Sequence, residues 1–117
     1  MNFGEFFLFL NTLKTMHWLT TSHAHHEILD EAYSEFSDKI DEFIESCIGA
    51  NFPKKYHPVS ISFEMPDADD DTGFMFESAF NNLSTALAKY SNTPALDSLV
   101  DDFNNLANKY IYLLKMN

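Results

Sequence analysis

Four stretches of this chain repeat their apolar residues every three or four positions, a spacing that admits little except helices packed side by side. The first stripe runs through Phe3, Phe6, Leu10, Leu13 and His17, and the second through Leu29, Tyr33, Phe36, Ile40, Phe43 and Cys47. The third uses Phe76, Phe80, Leu83, Leu87 and Tyr90, and the fourth Leu96, Leu99, Phe103, Leu106, Tyr110 and Leu113. The spacing predicts an all-α four-helix bundle with helices over about 2–19, 24–48, 73–91 and 94–115. The punctuation agrees. Thr93 before Pro94 is a side-chain cap followed by a first-turn proline, and Gly49 stands where a helix-ending glycine belongs. Residues from about 50 to 72 hold Pro53, Pro58 and Pro66 and the run Asp67-Ala68-Asp69-Asp70-Asp71. They read as a long crossover between helices 2 and 3, with a short extended piece at Val59–Phe63. The 117 residues suit one domain.

Helix 1 carries more apolar surface than one stripe can use. Phe7, Leu8 and Phe9 cannot all join Phe6 and Leu10 on one face. Either a thicker core or a second subunit covers the surplus. The formal net charge of −11 leaves few cations to neutralise phosphates, which argues against DNA binding and suits metal cations or a basic partner. A single cysteine, Cys47, excludes an internal disulfide and points to a reducing, cytoplasmic setting. It falls on the apolar stripe, as buried filler would. The run from Phe6 to Leu10 is too short for a membrane span, and the preceding Glu5 does not suit a signal peptide. The triplet at Asn82 carries no meaning for glycosylation in such a compartment.

The second helix poses the functional question. It carries His26 and Asp30 near its start and Asp41 and Glu45 near its end. Asp30 and Asp41 lie roughly 16 Å apart along the axis yet point within about 20° of each other. One metal ion cannot use both pairs from one helix. The positions are mirrored, however: His26 with Glu45, and Asp30 with Asp41, share a centre between residues 35 and 36. A second copy laid antiparallel about a two-fold axis there brings His26 and Asp30 of one chain against Asp41 and Glu45 of the other. Beside the apolar stripe, these carboxylates are expected to be half-buried. His17 on helix 1 supplies a second imidazole, with Trp18 next to it. Two imidazoles and three carboxylates suit iron or another first-row divalent ion. The alternative stays open that the histidines are hydrogen-bonded core residues and the acids a solvated face.

The stretch Lys14–Glu45, KTMHWLTTSHAHHEILDEAYSEFSDKIDEFIE, resembles the Dps miniferritins, a branch of the ferritin-like proteins. The resemblance rests on His17-Trp18, on His26-Glu27 with Asp30, and on Asp41 with Glu45. The C-terminal NKYIYLLKMN resembles that family's last helix. It implies a ferritin-like four-helix bundle and a ferroxidase centre at a two-fold dimer interface. His17, His26 and Asp30 would come from one subunit, and Asp41 and Glu45 from its neighbour. Ferrous iron would bind there as a di-iron or mono-iron site, be oxidised, typically by peroxide, and pass to a mineral store inside a twelve-subunit shell. The chain departs from that pattern in three ways. The link between His17 and His26 is about three residues shorter than usual, the crossover lacks the family's small extra helix, and no basic tail is present. It is similar in these respects to reduced versions from large phages, whose setting would be the host cytoplasm.

Other patterns carry less. His23 and His25 are expected in the link beside His26. The second histidine of H-E-x-x-H is missing, and so is the ferritin-type E-x-x-H. The run Asp67–Gly73 departs from a calcium loop, with Gly73 one place late and Ser78 where a bidentate Glu is needed. Acids ahead of a helix favour its positive end instead. The expectation is thus an iron-sequestering ferroxidase, and the alternative a non-catalytic acidic ferritin-like module that binds a basic partner protein.

Overall fold

The computed structural model describes residues 3–50 and 71–117, and within them the chain forms four helices and no strand. They are α1 (Gly4–Leu19), α2 (His23–Gly49), α3 (Thr72–Tyr90) and α4 (Pro94–Met116). The extended piece expected at 59–63 lies outside the described residues, as do Asp67, Asp69 and Asp70.

Local chemistry sets the helix ends. Ser22 caps α2 by accepting from the His25 amide at 3.2 Å. Asp71 does the same for α3 from Phe74 at 2.9 Å, so this acid serves the start of a helix as expected. Thr93 accepts from the Leu96 amide at 3.2 Å, with Pro94 in the first turn. Gly49 corrects an expectation. It is the last residue of α2 rather than a residue beyond it, and the cap is Ala50 at φ −85°. The chain needs no left-handed residue there.

Contacts along the helices give the topology. Phe6, at the start of α1, meets Phe43 near the end of α2 and Tyr90 at the end of α3. His25, at the start of α2, reaches Leu114 near the end of α4, and Glu77 of α3 pairs with Lys115 of α4. Every adjacent pair (α1 with α2, α3 with α4, α1 with α3, α2 with α4) is therefore antiparallel. The diagonal helices α2 and α3 must then run the same way. The end of α2 and the start of α3 lie at opposite ends of the bundle.

The core is aromatic and centres on Phe36, which is fully buried. Its ring lies 4.9 Å from Phe9 of α1, 5.9 Å and 6.1 Å from Phe76 and Phe80 of α3, and 6.3 Å and 6.2 Å from Phe103 and Tyr110 of α4. The other expected stripe residues of α2, Leu29, Ile40, Phe43 and Cys47, are buried, with Tyr33 packed at the margin. Burial pushes the Cys47 thiol pKa up, which keeps it protonated and inert. Helix α1 departs from expectation. Phe9, rather than Leu10, enters the core, because the Phe9 side of α1 faces Phe76 and Phe80. Leu10 is partly buried against the core, and Phe7 remains 55 % exposed.

Polar contacts join α2 to α4. The Tyr110 hydroxyl donates to Glu35 Oε1 at 2.5 Å, and Lys109 Nζ reaches the same oxygen at 3.2 Å. Lys39 reaches Asp102 at 3.7 Å. The hydrogen bond from Tyr110 and the charge of Lys109 hold the Glu35 carboxyl below the usual range. Burial, and then Glu35, raise the Tyr110 phenol well above its own range. Replacing Tyr110 with Phe is expected to destabilise the fold by about 1 kcal/mol at neutral pH, at the low end for a bond to a charge because Glu35 is partly exposed. A depressed carboxyl stabilises the fold above its unfolded pKa of about 4.3 and loses that contribution as pH falls through its lower folded value. The gap between wild type and Tyr110→Phe should therefore be full at pH 7 and close below about pH 4, as urea unfolding curves at both pH values would show.

Candidate metal centre

The short link Thr20–Ser22 folds the end of α1 onto the start of α2, where it brings His17 and His26 together. The two imidazoles stack with centroids 3.8 Å apart and planes 21° from parallel. Each ring nitrogen Nδ1 meets the other residue's carbonyl: His17 Nδ1 lies 2.7 Å from His26 O, and His26 Nδ1 lies 2.9 Å from His17 O. A carbonyl only accepts, so both Nδ1 atoms carry the proton and donate. In the neutral rings both Nε2 atoms then hold free lone pairs. An imidazole fixed through Nδ1–H to a backbone carbonyl is the usual way a protein orients a metal-binding histidine. His17 is buried at 9 % exposure, whereas His26 is exposed.

Asp30 lies one turn beyond His26. Its Oδ1 is 3.9 Å from Lys14 Nζ of α1, and that ammonium also sits 4.8 Å over the Tyr33 ring. Asp41 and Glu45 follow on α2 and are exposed. The expectation of half-buried carboxylates is corrected here: the Asp30 side chain is 64 % exposed. The physical reason is angular. Asp30 and Asp41 are rotated by about 120° and 140° from the core-facing Phe36, past the shoulder that α1 covers. Among the described residues of one chain, no three His, Cys, Asp or Glu side chains converge as a metal site. The structure thus joins His17 with His26, places Asp30 on the adjacent turn, and leaves Asp41 and Glu45 farther along α2.

The face around this stripe is open. A shallow groove of about 590 Å³ runs along α2, lined in part by Glu27, Asp30, Tyr33, Ser34, Ser37 and Asp38. The mirror that relates His26 to Glu45 also relates Ser34 to Ser37 and Tyr33 to Asp38, so small residues stand at its centre. Phe7 and Trp18 of α1, 55 % and 66 % exposed, share one side of that helix with Lys14, because eleven residues bring a helix round to within about 20°.

Two further histidines differ from expectation. His23 and His25 belong to the first turn of α2 rather than to the link. His23 pairs with Glu27 at 3.2 Å on the surface. His25 Nε2 lies 2.9 Å from the Leu114 carbonyl, where an N–H donor satisfies one of the last carbonyls of α4. The reciprocal histidine bonds and the position of Lys14 were not visible in the sequence. The only hint was Lys14 one turn before His17.

Compared with known proteins, residues 17–114 match the model of a family described as a family of unknown function (DUF5856). Neither a curated protein nor a solved structure matches the chain. Among the described residues, no helix is long and apolar enough to cross a membrane.

Proposed function

The chain belongs to the DUF5856 family, and from that premise we propose that it is a Dps-like, ferritin-like ferroxidase that oxidises and sequesters iron at sites shared across a two-fold dimer. One observation carries the reading: His17 and His26 stack on each other and each donates from Nδ1 to the other's carbonyl, which in the neutral rings leaves Nε2 of both with a lone pair. An antiparallel second copy of α2 supplies Asp41 and Glu45 to the His17, His26 and Asp30 of the first. The exposed stripe, the serines at its centre and the flanking Phe7 and Trp18 suit such a partner. The parallel run of α2 and α3, with the end of one and the start of the other at opposite ends of the bundle, suits the one long crossover of ferritin-like bundles.

Ferrous iron is the substrate. His17 and His26 would offer it borderline nitrogen donors, and the carboxylates of Asp30, Asp41 and Glu45 would favour the more highly charged product. Each Fe²⁺ gives up one electron. Peroxide takes two electrons and two protons and leaves as water, so two ferrous ions are consumed per peroxide. The chain contributes positioning and negative charge. Shell assembly and a mineral store are the further steps that the resemblance implies.

A second reading has its own support. Glu27, Asp30, Glu31 and Asp38 line the α2 groove with carboxylates, a surface that suits a basic partner protein without any catalysis. Anaerobic addition of Fe²⁺ followed by peroxide separates the two. Rapid oxidation at a fixed ratio of iron per dimer supports the ferroxidase, and a rate equal to that of buffer leaves only the interaction module. Light scattering gives the size of the assembly in the same sample.

A further inference from the structure

We infer that Tyr110 is a redox-active tyrosine, which gives one electron to a strong oxidant while its phenolic proton passes to Glu35. Neither residue belongs to the proposed metal site. Tyr110 is fully buried, whereas Tyr33 and Tyr90 are half-buried and Tyr112 is exposed. Its hydroxyl donates to Glu35 Oε1 at 2.5 Å, so the proton has an acceptor in direct hydrogen-bond contact. Its ring packs between Phe36 and Phe76, with centroids 6.2 Å and 6.4 Å away. Phenylalanine has neither a hydroxyl nor a ring nitrogen, and a phenoxyl radical does not oxidise it.

The surroundings favour loss of the electron and the proton together. Burial, and then the Glu35 charge, keep the phenol protonated at neutral pH, so oxidation starts from the O–H form. Lys109 Nζ lies 4.9 Å from the Tyr110 ring centroid and 3.2 Å from Glu35 Oε1. This ammonium opposes a second positive charge on the ring, which disfavours a cation radical that has kept its proton. An electron can cross packed side chains to an oxidant outside; a proton cannot, and needs the adjacent carboxylate. In the step, the Tyr110 O–H bond breaks, the proton bonds to Glu35 Oε1, and the electron reduces the oxidant. With the hydroxyl radical as oxidant, the products are hydroxide, a neutral phenoxyl at Tyr110 and a carboxylic acid at Glu35. That acid then donates its O–H back to the phenoxyl oxygen. A one-electron reductant such as Fe²⁺ reverses the step, with the proton returning to Tyr110. The core thus stores a single oxidising equivalent apart from solvent.

Photogenerated tris(bipyridine)ruthenium(III), a one-electron oxidant, tests this on the full chain without iron or peroxide. Surface tyrosyl radicals couple and vanish quickly, so samples frozen after that decay report the buried radical by electron paramagnetic resonance. Wild type should retain a tyrosyl signal. Tyr110→Phe and Glu35→Gln should each lower it at least fivefold. Glutamine keeps a carbonyl to accept the hydrogen bond but is too weak a base to take the proton, so its loss of signal separates proton transfer from a mere clip between α2 and α4. Absence of a persistent signal in wild type overturns the redox role, as does a signal of wild-type size in either folded variant. Should Tyr110→Phe fail to fold, Glu35→Gln decides in its place. Each of these outcomes leaves the metal site untouched.

Discussion

Replacing Phe36 with alanine is expected to remove about 3–5 kcal/mol of stability, the range for deleting a fully buried aromatic ring. Phe36 is the residue that all four helices share: its ring packs edge-on or tilted against Phe9, Phe76, Phe80, Phe103 and Tyr110. Those partners belong to three other helices, so no single movement can close the void. Domains of this size hold only about 5–15 kcal/mol in total, and the loss would take a large part of it. Thermal unfolding followed by circular dichroism should show a midpoint lower by at least about 10 °C. Phe36→Leu refills most of the space and should cost only about 1–2 kcal/mol. A midpoint for Phe36→Ala within about 2 °C of wild type would mean that the ring does not lie where four helices meet.

The second large effect concerns chemistry and should leave the fold untouched. Changing Asp30 and Asp41 together to Asn is expected to reduce peroxide-driven oxidation of Fe²⁺ to the rate in buffer. Asn keeps the shape of the side chain but removes the charge. Each shared site would lose two of its three carboxylates. Both residues are exposed, and the one ion pair lost among the described residues, Lys14 with Asp30, is of a kind worth about 0–1 kcal/mol. The melting midpoint should therefore barely move, so that lost oxidation cannot be put down to unfolding. Wild-type oxidation by the double variant would disprove the use of these carboxylates.

Much of the fold was legible because helical periodicity reports burial directly. The stripes through Leu29, Phe36, Ile40, Phe43 and Cys47, and through Phe76, Phe80, Leu83 and Leu87, are core residues in the structure. Where reading failed, the missing information was tertiary. Phe9 and Leu10 both suit the spacing from Phe6, and only the presence of α3 on the Phe9 side decides between them. Gly49 suggested a special backbone that the helix end does not need, because Ala50 caps it with an ordinary conformation. The spacing of His26, Asp30, Asp41 and Glu45 could be read from residue numbers, since it belongs to one helix. Their exposure could not, because it depends on how far α1 reaches across. The bond between Tyr110 and Glu35 joins residues far apart in the chain and leaves no local trace.

The mutual grip of His17 and His26 makes each residue the support of the other. Removing one imidazole leaves the other's carbonyl without that side-chain donor and its ring without its stacked neighbour. The two positions should behave as one unit. In a double-mutant cycle of His17→Ala and His26→Ala, the paired loss of stability should fall short of the sum of the single losses by about 0.5–3 kcal/mol. Strict additivity in denaturant melts would show that the rings stand alone. Selection on either histidine is then selection on both, and a drift in one loosens the geometry of its twin.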